Sequence, residues 1–191
     1  QVYHRAESCV KRPGKNGAKG EKCTMDNTAR NSYVKRRLTS ALLDMLREGD
    51  WRGITVSALC ERAEVSRNSF YRNYSGKEDI LRGYILELNA EWERAAGDTS
   101  QLSDEEKLAG LFGYFNYYRD FYSLLYSRGL LGVVKSILYE VMGPKPEHDN
   151  KLAYTLAFLS SGIYGWIEEW FARGMTESAE EMAALLKNHI E

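Results

Sequence analysis

The stretch from Thr55 to Leu81, TVSALCERAEVSRNSFYRNYSGKEDIL, constrains what this chain can fold into more than any other. It reads as two short helices joined by a tight turn, followed by the opening of a third. Thr55 is an N-cap candidate, and Val56, Leu59, Cys60 and Ala63 follow it at helical spacing. Glu64 and Val65 leave room only for a turn, and Ser66 is the next cap. Arg67, Asn68 and Ser69 fill the first turn of the second helix, with Phe70, Tyr71 and Tyr74 behind them. Ser75-Gly76-Lys77-Glu78 has the form of a capping box, the Ser75 hydroxyl and Glu78 carboxylate each satisfying a free backbone N–H. Helix, short turn, helix is the helix-turn-helix unit, whose second helix enters the DNA major groove N-terminus first. A helix that is polar at its start and apolar behind has the distribution such a reader needs.

The same residues carry a family resemblance. Thr55 opening the first helix, Ala63-Glu64-Val65-Ser66 at the turn, Phe70-Tyr71, then Tyr74 and Lys77, resembles the DNA-binding domain of the tetracycline-repressor-like (TetR/AcrR) family. Two positions depart from the family pattern. Glu64 stands where Gly or Asn is usual, and a left-handed backbone there costs a non-glycine residue roughly 1 kcal/mol. Asn73 stands where His or Tyr is frequent, which alters one expected phosphate contact. The resemblance implies an all-α fold: an N-terminal three-helix DNA-binding domain, then a helical bundle that holds an effector and dimerises through its last two helices. On that basis the dimer contact is expected at Leu159, Ile163, Trp166, Trp170, Met182 and Leu186.

The charge distribution agrees with a DNA-facing end. Residues 1–24 carry a net +4, residues 25–96 a net +1 and residues 97–191 a net −6, although the whole chain of 191 residues is at −1. There is no run of apolar residues long enough to span a membrane and no apolar core of a signal peptide, so the expected location is the cytoplasm. Cys9, Cys23 and Cys60 make no disulfide framework, and with His4 they show no metal-ligand spacing, so no metal or cofactor is expected.

Residues 1–27 read as a disordered basic tail, KRPGKNGAKGEK being rich in Gly and Lys without apolar period. It is either an arm that touches phosphates or sequence preceding the natural start, since Met25 stands where the folded unit is expected to begin. Residues 28–76 form the DNA-binding domain, 77–96 a connecting helix and 97–191 the effector-binding and dimerisation domain. The first helix is expected from about Ala29 to Glu48, stopped by Gly49, with Trp51 and Ile54 packing the loop below. In the second half, Ser103 with Glu106 and Ser178 with Glu181 are capping boxes, and Asp120 is expected to cap a helix over 121–127. A further helix is expected over 130–142, and Gly143-Pro144-Lys145-Pro146 breaks the chain. Leu152, Leu156, Leu159, Ile163, Trp166 and Trp170 then alternate spacings of four and three, the seam of a helix packed on another helix.

The chemistry divides by role. Arg67, Asn68 and Ser69, after the cap Ser66, lie where base edges come within reach, and Arg72 reaches a base or a phosphate. Thr55, Tyr71 and Lys77 match family positions that contact backbone phosphates of double-stranded DNA, and Asn73 belongs with them. The competing reading is that Arg67 and Arg72 are ordinary solvated charges and Tyr71 a core residue. No phosphate loop, nucleophile elbow or convergent catalytic set is present, so no enzyme is expected. Tyr114, Tyr118, Tyr122, Tyr154 and Phe158 are the candidates to line an effector cavity, or else they fill the bundle core and its dimer contact. The function that emerges is sequence-specific transcriptional regulation, most simply ligand-responsive repression by a homodimer on a palindromic operator. A helical dimeric co-regulator without specific DNA binding is the alternative.

Overall fold

The computed structural model describes residues 27 to 190, and among them every regular element is a helix, as expected. α1 (Asn27–Glu48) leads through a 3-10 turn (Trp51–Gly53) into α2 (Val56–Ala63), α3 (Arg67–Tyr71) and α4 (Lys77–Ala96). Then come α5 (Asp104–Tyr117), α6 (Arg119–Ser127), α7 (Gly132–Met142), α8 (Asn150–Ala172) and α9 (Ala179–Ile190). The expected basic tail, with His4, Cys9 and Cys23, lies outside the described residues apart from Asn27, which opens α1.

The apolar stripe of α1 places Leu38, Ala41, Leu42 and Leu46 in the core, and the helix ends where the Gly49 N–H bonds the Met45 carbonyl at 3.0 Å. Leu59, Cys60 and Ala63 from α2, and Phe70 from α3, meet that stripe. Burial pushes the Cys60 thiol up, as befits a small core hydrophobe. α4 packs on both α1 and α7, so one helix belongs to both halves of the molecule. Its buried face is Ile80, Leu81, Ile85 and Leu88. Behind it α5 lies along α9, α7 along α8, and α6 also meets α8. Each large side chain so buried stabilises the fold by roughly 1.5–3 kcal/mol.

Four expected caps form, that of Ser66 on α3 among them. The Thr55 hydroxyl accepts from the Ala58 N–H at 3.2 Å, and both Ser103–Glu106 and Ser178–Glu181 bond reciprocally as capping boxes. The box expected at Ser75 and Glu78 is a correction. Gly76, not Ser75, is the N-cap of α4, which makes Asp79 the third helical residue. The Asp79 carboxylate therefore takes the Ser75 N–H at 2.8 Å, together with the Ser75 hydroxyl, and those bonds hold its carboxyl below the usual range. Asp120 is a second correction: α6 opens at Arg119 straight from Tyr118, so Asp120 sits inside the first turn without capping it. There its charge still meets the favourable end of the helix dipole. α7 begins at Gly132, later than expected, because left-handed Gly129 turns Leu131 into the core first. At the other end, a Cβ on Gly143 would lie 2.2 Å from the Tyr139 carbonyl oxygen, so only glycine closes α7 this way.

Of the six residues expected at the dimer contact, Ile163, Trp170, Met182 and Leu186 are buried in the protomer, while Leu152 at the start of the α8 seam is 44% exposed. Ile163 and Trp170 are 6% and 2% exposed, and the Trp170 ring meets Phe112 of α5 edge-on at 5.5 Å. Met182 and Leu186 of α9 are buried as well. Leu159 is half-buried, and so is Trp166, whose ring lies 5.4 Å from that of His189. Alternating spacing identifies a helix packed on a helix but not whose helix it is. The outer face of α8 instead presents Tyr154 and Phe158, 74% and 75% exposed, with Ser161 and Gly165 continuing the same line at helical spacing.

Candidate nucleic-acid interface and effector cavity

The reading helix is fixed from behind by Phe70, which is fully buried and meets the rings of Tyr71 and Tyr74. Its start is fixed by Ser66, whose hydroxyl accepts from the Ser69 N–H at 3.1 Å and pairs with the Ser69 hydroxyl at 2.9 Å. What α3 leaves outward is Arg67, Asn68, Tyr71 and, just past its end, Arg72, all exposed. Tyr71 is therefore a surface phenol and not a core residue. The Arg67 guanidinium donates from Nη2 to the Ser57 hydroxyl at 2.6 Å, so α2 braces the first side chain of the reading helix. Ser57 was not foreseen; its being the one polar side chain in an otherwise apolar first turn of α2 was the available signal. Asn73 donates from Nδ2 to the Ser69 carbonyl at 2.8 Å and so ties off the end of α3.

The departure at the turn is accommodated. Glu64 does adopt the left-handed conformation, φ 55° and ψ 41°. Its carboxylate pairs with Arg37, which also donates from Nε to the Ala63 carbonyl at 2.9 Å. One arginine of α1 thus satisfies the turn at its side chain and at its backbone.

Lys77, expected at a phosphate, has its ammonium engaged within the protein in the absence of DNA. Its ammonium donates to the carbonyls of Trp51 at 2.6 Å and Ile54 at 2.8 Å, and it lies 4.2 Å from the centre of the Trp51 ring. A cation held by two carbonyls and an aromatic face is spent on joining α4 to the loop before α2. The hydroxyl of Thr55 is likewise used as a cap, although the residue is exposed.

A cavity of about 590 Å³ lies between α4, α5 and α7. Tyr114 and Tyr122 are the expected tyrosines that it contains; their hydroxyls bond each other, and Tyr114 also reaches the Ile85 carbonyl of α4 at 3.4 Å. Burial raises both phenols, Tyr114 to about 12. Tyr118, just past the end of α5, packs against Tyr114 and lines a separate groove with Tyr84 and Phe121. Tyr154 and Phe158 do not reach the cavity: they stand on the outer face of α8, where nothing in the protomer covers them. Trp92, Leu111, Ile137 and Leu138 line the cavity and were not foreseen as a set, because they come from three helices. Among the described residues, no three His, Cys, Asp or Glu side chains gather to hold a metal ion, and no helix is long and apolar enough to cross a membrane.

Described residues whose regular elements are all helical, with a helix-turn-helix at one end and a hollow bundle at the other, define a class, the helix-turn-helix DNA-binding regulators. Two family models then match: "Bacterial regulatory proteins, tetR family" over residues 38–84 and "Transcriptional regulator C-terminal region" of the same family over residues 105–191. The chain is similar to the HTH-type transcriptional regulator AlkX of Mycobacterium tuberculosis, 28% identical over 60 residues, covering 31% of this chain and 28% of that protein. It spans, in other words, less than a third of that relative's length. A TetR transcriptional regulator from Streptococcus agalactiae shares the fold at a TM-score of 0.58 and 19% identity, over 86% of this chain and 97% of that one. The dihydroxyacetone kinase operon activator DhaS aligns over 81% and 92% at 18% identity and a TM-score of 0.45. The chain belongs to the TetR family of transcriptional regulators.

Proposed function

We propose that this protein is a sequence-specific, ligand-responsive repressor that works as a homodimer in the cytoplasm. The observation that carries the reading is α3 itself: a buried Phe70 anchor behind an outward row of Arg67, Asn68, Tyr71 and Arg72. Arg67 and Asn68 suit guanine and adenine edges, while Tyr71 and Arg72 suit phosphates. Residues 28–76 would bind DNA, 77–96 connect, and 97–191 sense and dimerise. The outer face of α8, with Tyr154, Phe158, Ser161 and Gly165, is the surface we assign to the second copy, large rings at one end and small residues allowing close approach at the other. A ligand between α4, α5 and α7 would bear on α4 and thereby on the spacing of the two reading helices. Coupling of about 1–3 kcal/mol suffices for a useful response. The test is a footprint and gel shift on fragments flanking the protein's own gene. An imperfect palindrome with half-sites about one helical turn apart, or a modest multiple, is expected. A protected site with one asymmetric half, or no preference over random duplex, would refute the reading.

A further inference from the structure

We infer that the cavity between α4, α5 and α7 takes an uncharged, largely apolar molecule that carries one hydrogen-bond acceptor at its inner end. The inference rests on the effector role proposed above and names the chemistry of its ligand.

The charge follows from the wall. Among the described residues that line the cavity Lys107 is the one cation, and its ammonium lies 3.7 Å from the Asp104 carboxylate, with both side chains near the surface. The carboxylates at the rim are Glu93, which accepts from Asn89 at 2.8 Å, and Glu106, which is held by the Ser103 N–H and hydroxyl and so stays ionised. The deep end is Ile85, Phe115, Ile137 and Leu138 with the two phenols, which burial keeps neutral. An anion would pass two carboxylates and find no counter-charge inside. A cation would find no carboxylate beyond the rim. Either would lose its hydration without compensation. An apolar molecule meets no such penalty, and the volume suits one of drug size.

The acceptor follows from counting hydrogens. The Tyr114 and Tyr122 hydroxyls have two hydrogens between them, and their mutual bond uses one. The other has only the Ile85 carbonyl at 3.4 Å, a long bond to an oxygen whose helix already engages it. A ligand carbonyl or ether oxygen beside these phenols would take that hydrogen at a better distance. It would also release the one hydrogen bond from this pair to α4, which joins the chemistry of the ligand to the helix that must respond.

The test uses the full chain and a matched pair of fluorophores, methyl 6-(dimethylamino)-2-naphthoate and its free acid. They differ by a charge and share the acceptor carbonyl. The ester should saturate at one per chain, and the acid should bind at least about tenfold more weakly. Gly110 lines the cavity, and a Cβ there would meet nothing within 4 Å, so Gly110→Phe fills the space from a helix that tolerates it. It should weaken the ester at least about tenfold at an unchanged melting temperature. Should that variant not fold, Val141→Trp narrows the mouth from an exposed position and should do the same. Tyr114→Phe should keep the ester but shift its bound emission to the blue as the carbonyl loses its donor. Equal affinity for ester and acid, no binding of either, or an ester affinity indifferent to the blocking variant would overturn the inference. A gel shift on the same preparations separates the two levels: operator binding with no ester binding would leave the regulator intact and remove its proposed ligand chemistry.

Discussion

Arg128, in the turn between α6 and α7, donates from Nε to the Leu46 carbonyl at 2.7 Å and from Nη2 to the Arg47 carbonyl at 3.0 Å. Those carbonyls belong to the last turn of α1, whose outward C=O groups have no partner within the helix. A guanidinium satisfies two of them and complements the negative end of the helix. The result is a clasp between the DNA-binding end and the bundle, separate from α4. The Arg82–Glu140 ion pair joins α4 to α7 in parallel, but its carboxylate is well exposed and it should matter less.

Arg128→Ala should therefore lower stability by about 1.5–3 kcal/mol, the range for hydrogen bonds from a charged donor. Arg128→Lys should restore only part of it, because an ammonium lacks the planar fork. Urea midpoints measure the loss. Hydrogen exchange locates it, with faster exchange confined to the end of α1 and the turn after α6. Unchanged exchange at Arg47 to Gly49 would mean the clasp holds nothing.

Lys77→Met should likewise act on stability and not on DNA. Two carbonyl bonds and a cation over Trp51 disappear, for a loss of roughly 2 kcal/mol. The slope of operator affinity against salt should stay the same, since no phosphate contact is removed. A slope lower by about one would return Lys77 to the phosphate set.

How far the sequence could be read depended on the range over which each signal acts. Caps and turns are local, so Thr55, Ser66, Ser103 and Ser178 were legible. The exceptions, Ser75 with Glu78 and Asp120, failed by one and two positions in the cap, the least certain coordinate of a helix. The apolar stripe of α8 was visible as a stripe, but its partner was not: one period serves a helix facing its own bundle and a helix facing another protomer equally well. The cavity was half legible. Tyr114 and Tyr122 lie eight residues apart and could be named, whereas Trp92, Ile137 and Leu138 come together only through tertiary packing. Lys77 matched a familiar position in a motif, and motif position says nothing about which carbonyls lie within reach of an ammonium.

The surface assigned to the dimer gives a sharp contrast between two residues of α8. Phe158→Glu changes an exposed ring and should leave the melting temperature of the fold nearly intact while shifting the particle to a monomer by light scattering. Trp170→Ala empties a core site and should cost about 3–5 kcal/mol. A Phe158→Glu protein that remains a dimer at micromolar concentration would move the interface elsewhere.

The buried phenols set an alkaline limit. Folding raises Tyr114 to about 12 and Tyr122 further, both by burial first, whereas unfolded tyrosine titrates near 10. Each folded phenol thus holds its proton more tightly than the unfolded one. Their contribution to stability is complete below pH 10 and is lost as pH rises through the folded values. Absorbance of tyrosinate should show a first step that lacks these two side chains, Tyr74 and Tyr164 also being raised by burial, and a second step that coincides with unfolding by circular dichroism. Tyr122→Phe should remove one equivalent from the second step alone.

Arg67 is the residue on which base readout can be decided. It directly follows the cap Ser66 and leaves the helix at the end that enters the groove, with paired donors that fit a guanine edge. Free of DNA, it rests on the Ser57 hydroxyl, so its fork is already held near the helix start. Arg67→Ala should cost roughly 1–3 kcal/mol on the best operator and little on random duplex. Ser57→Ala removes only the brace, and should relax the preference at the same operator position by less. The rival assignment puts Arg67 on a flanking phosphate, in which case binding to both duplexes falls together and the salt slope drops by about one. Titrating both variants on operator and random duplex across a salt series separates the cases. An equal loss on both duplexes would move Arg67 to the positioning set and leave Asn68, Ser69 and Arg72 to read the bases.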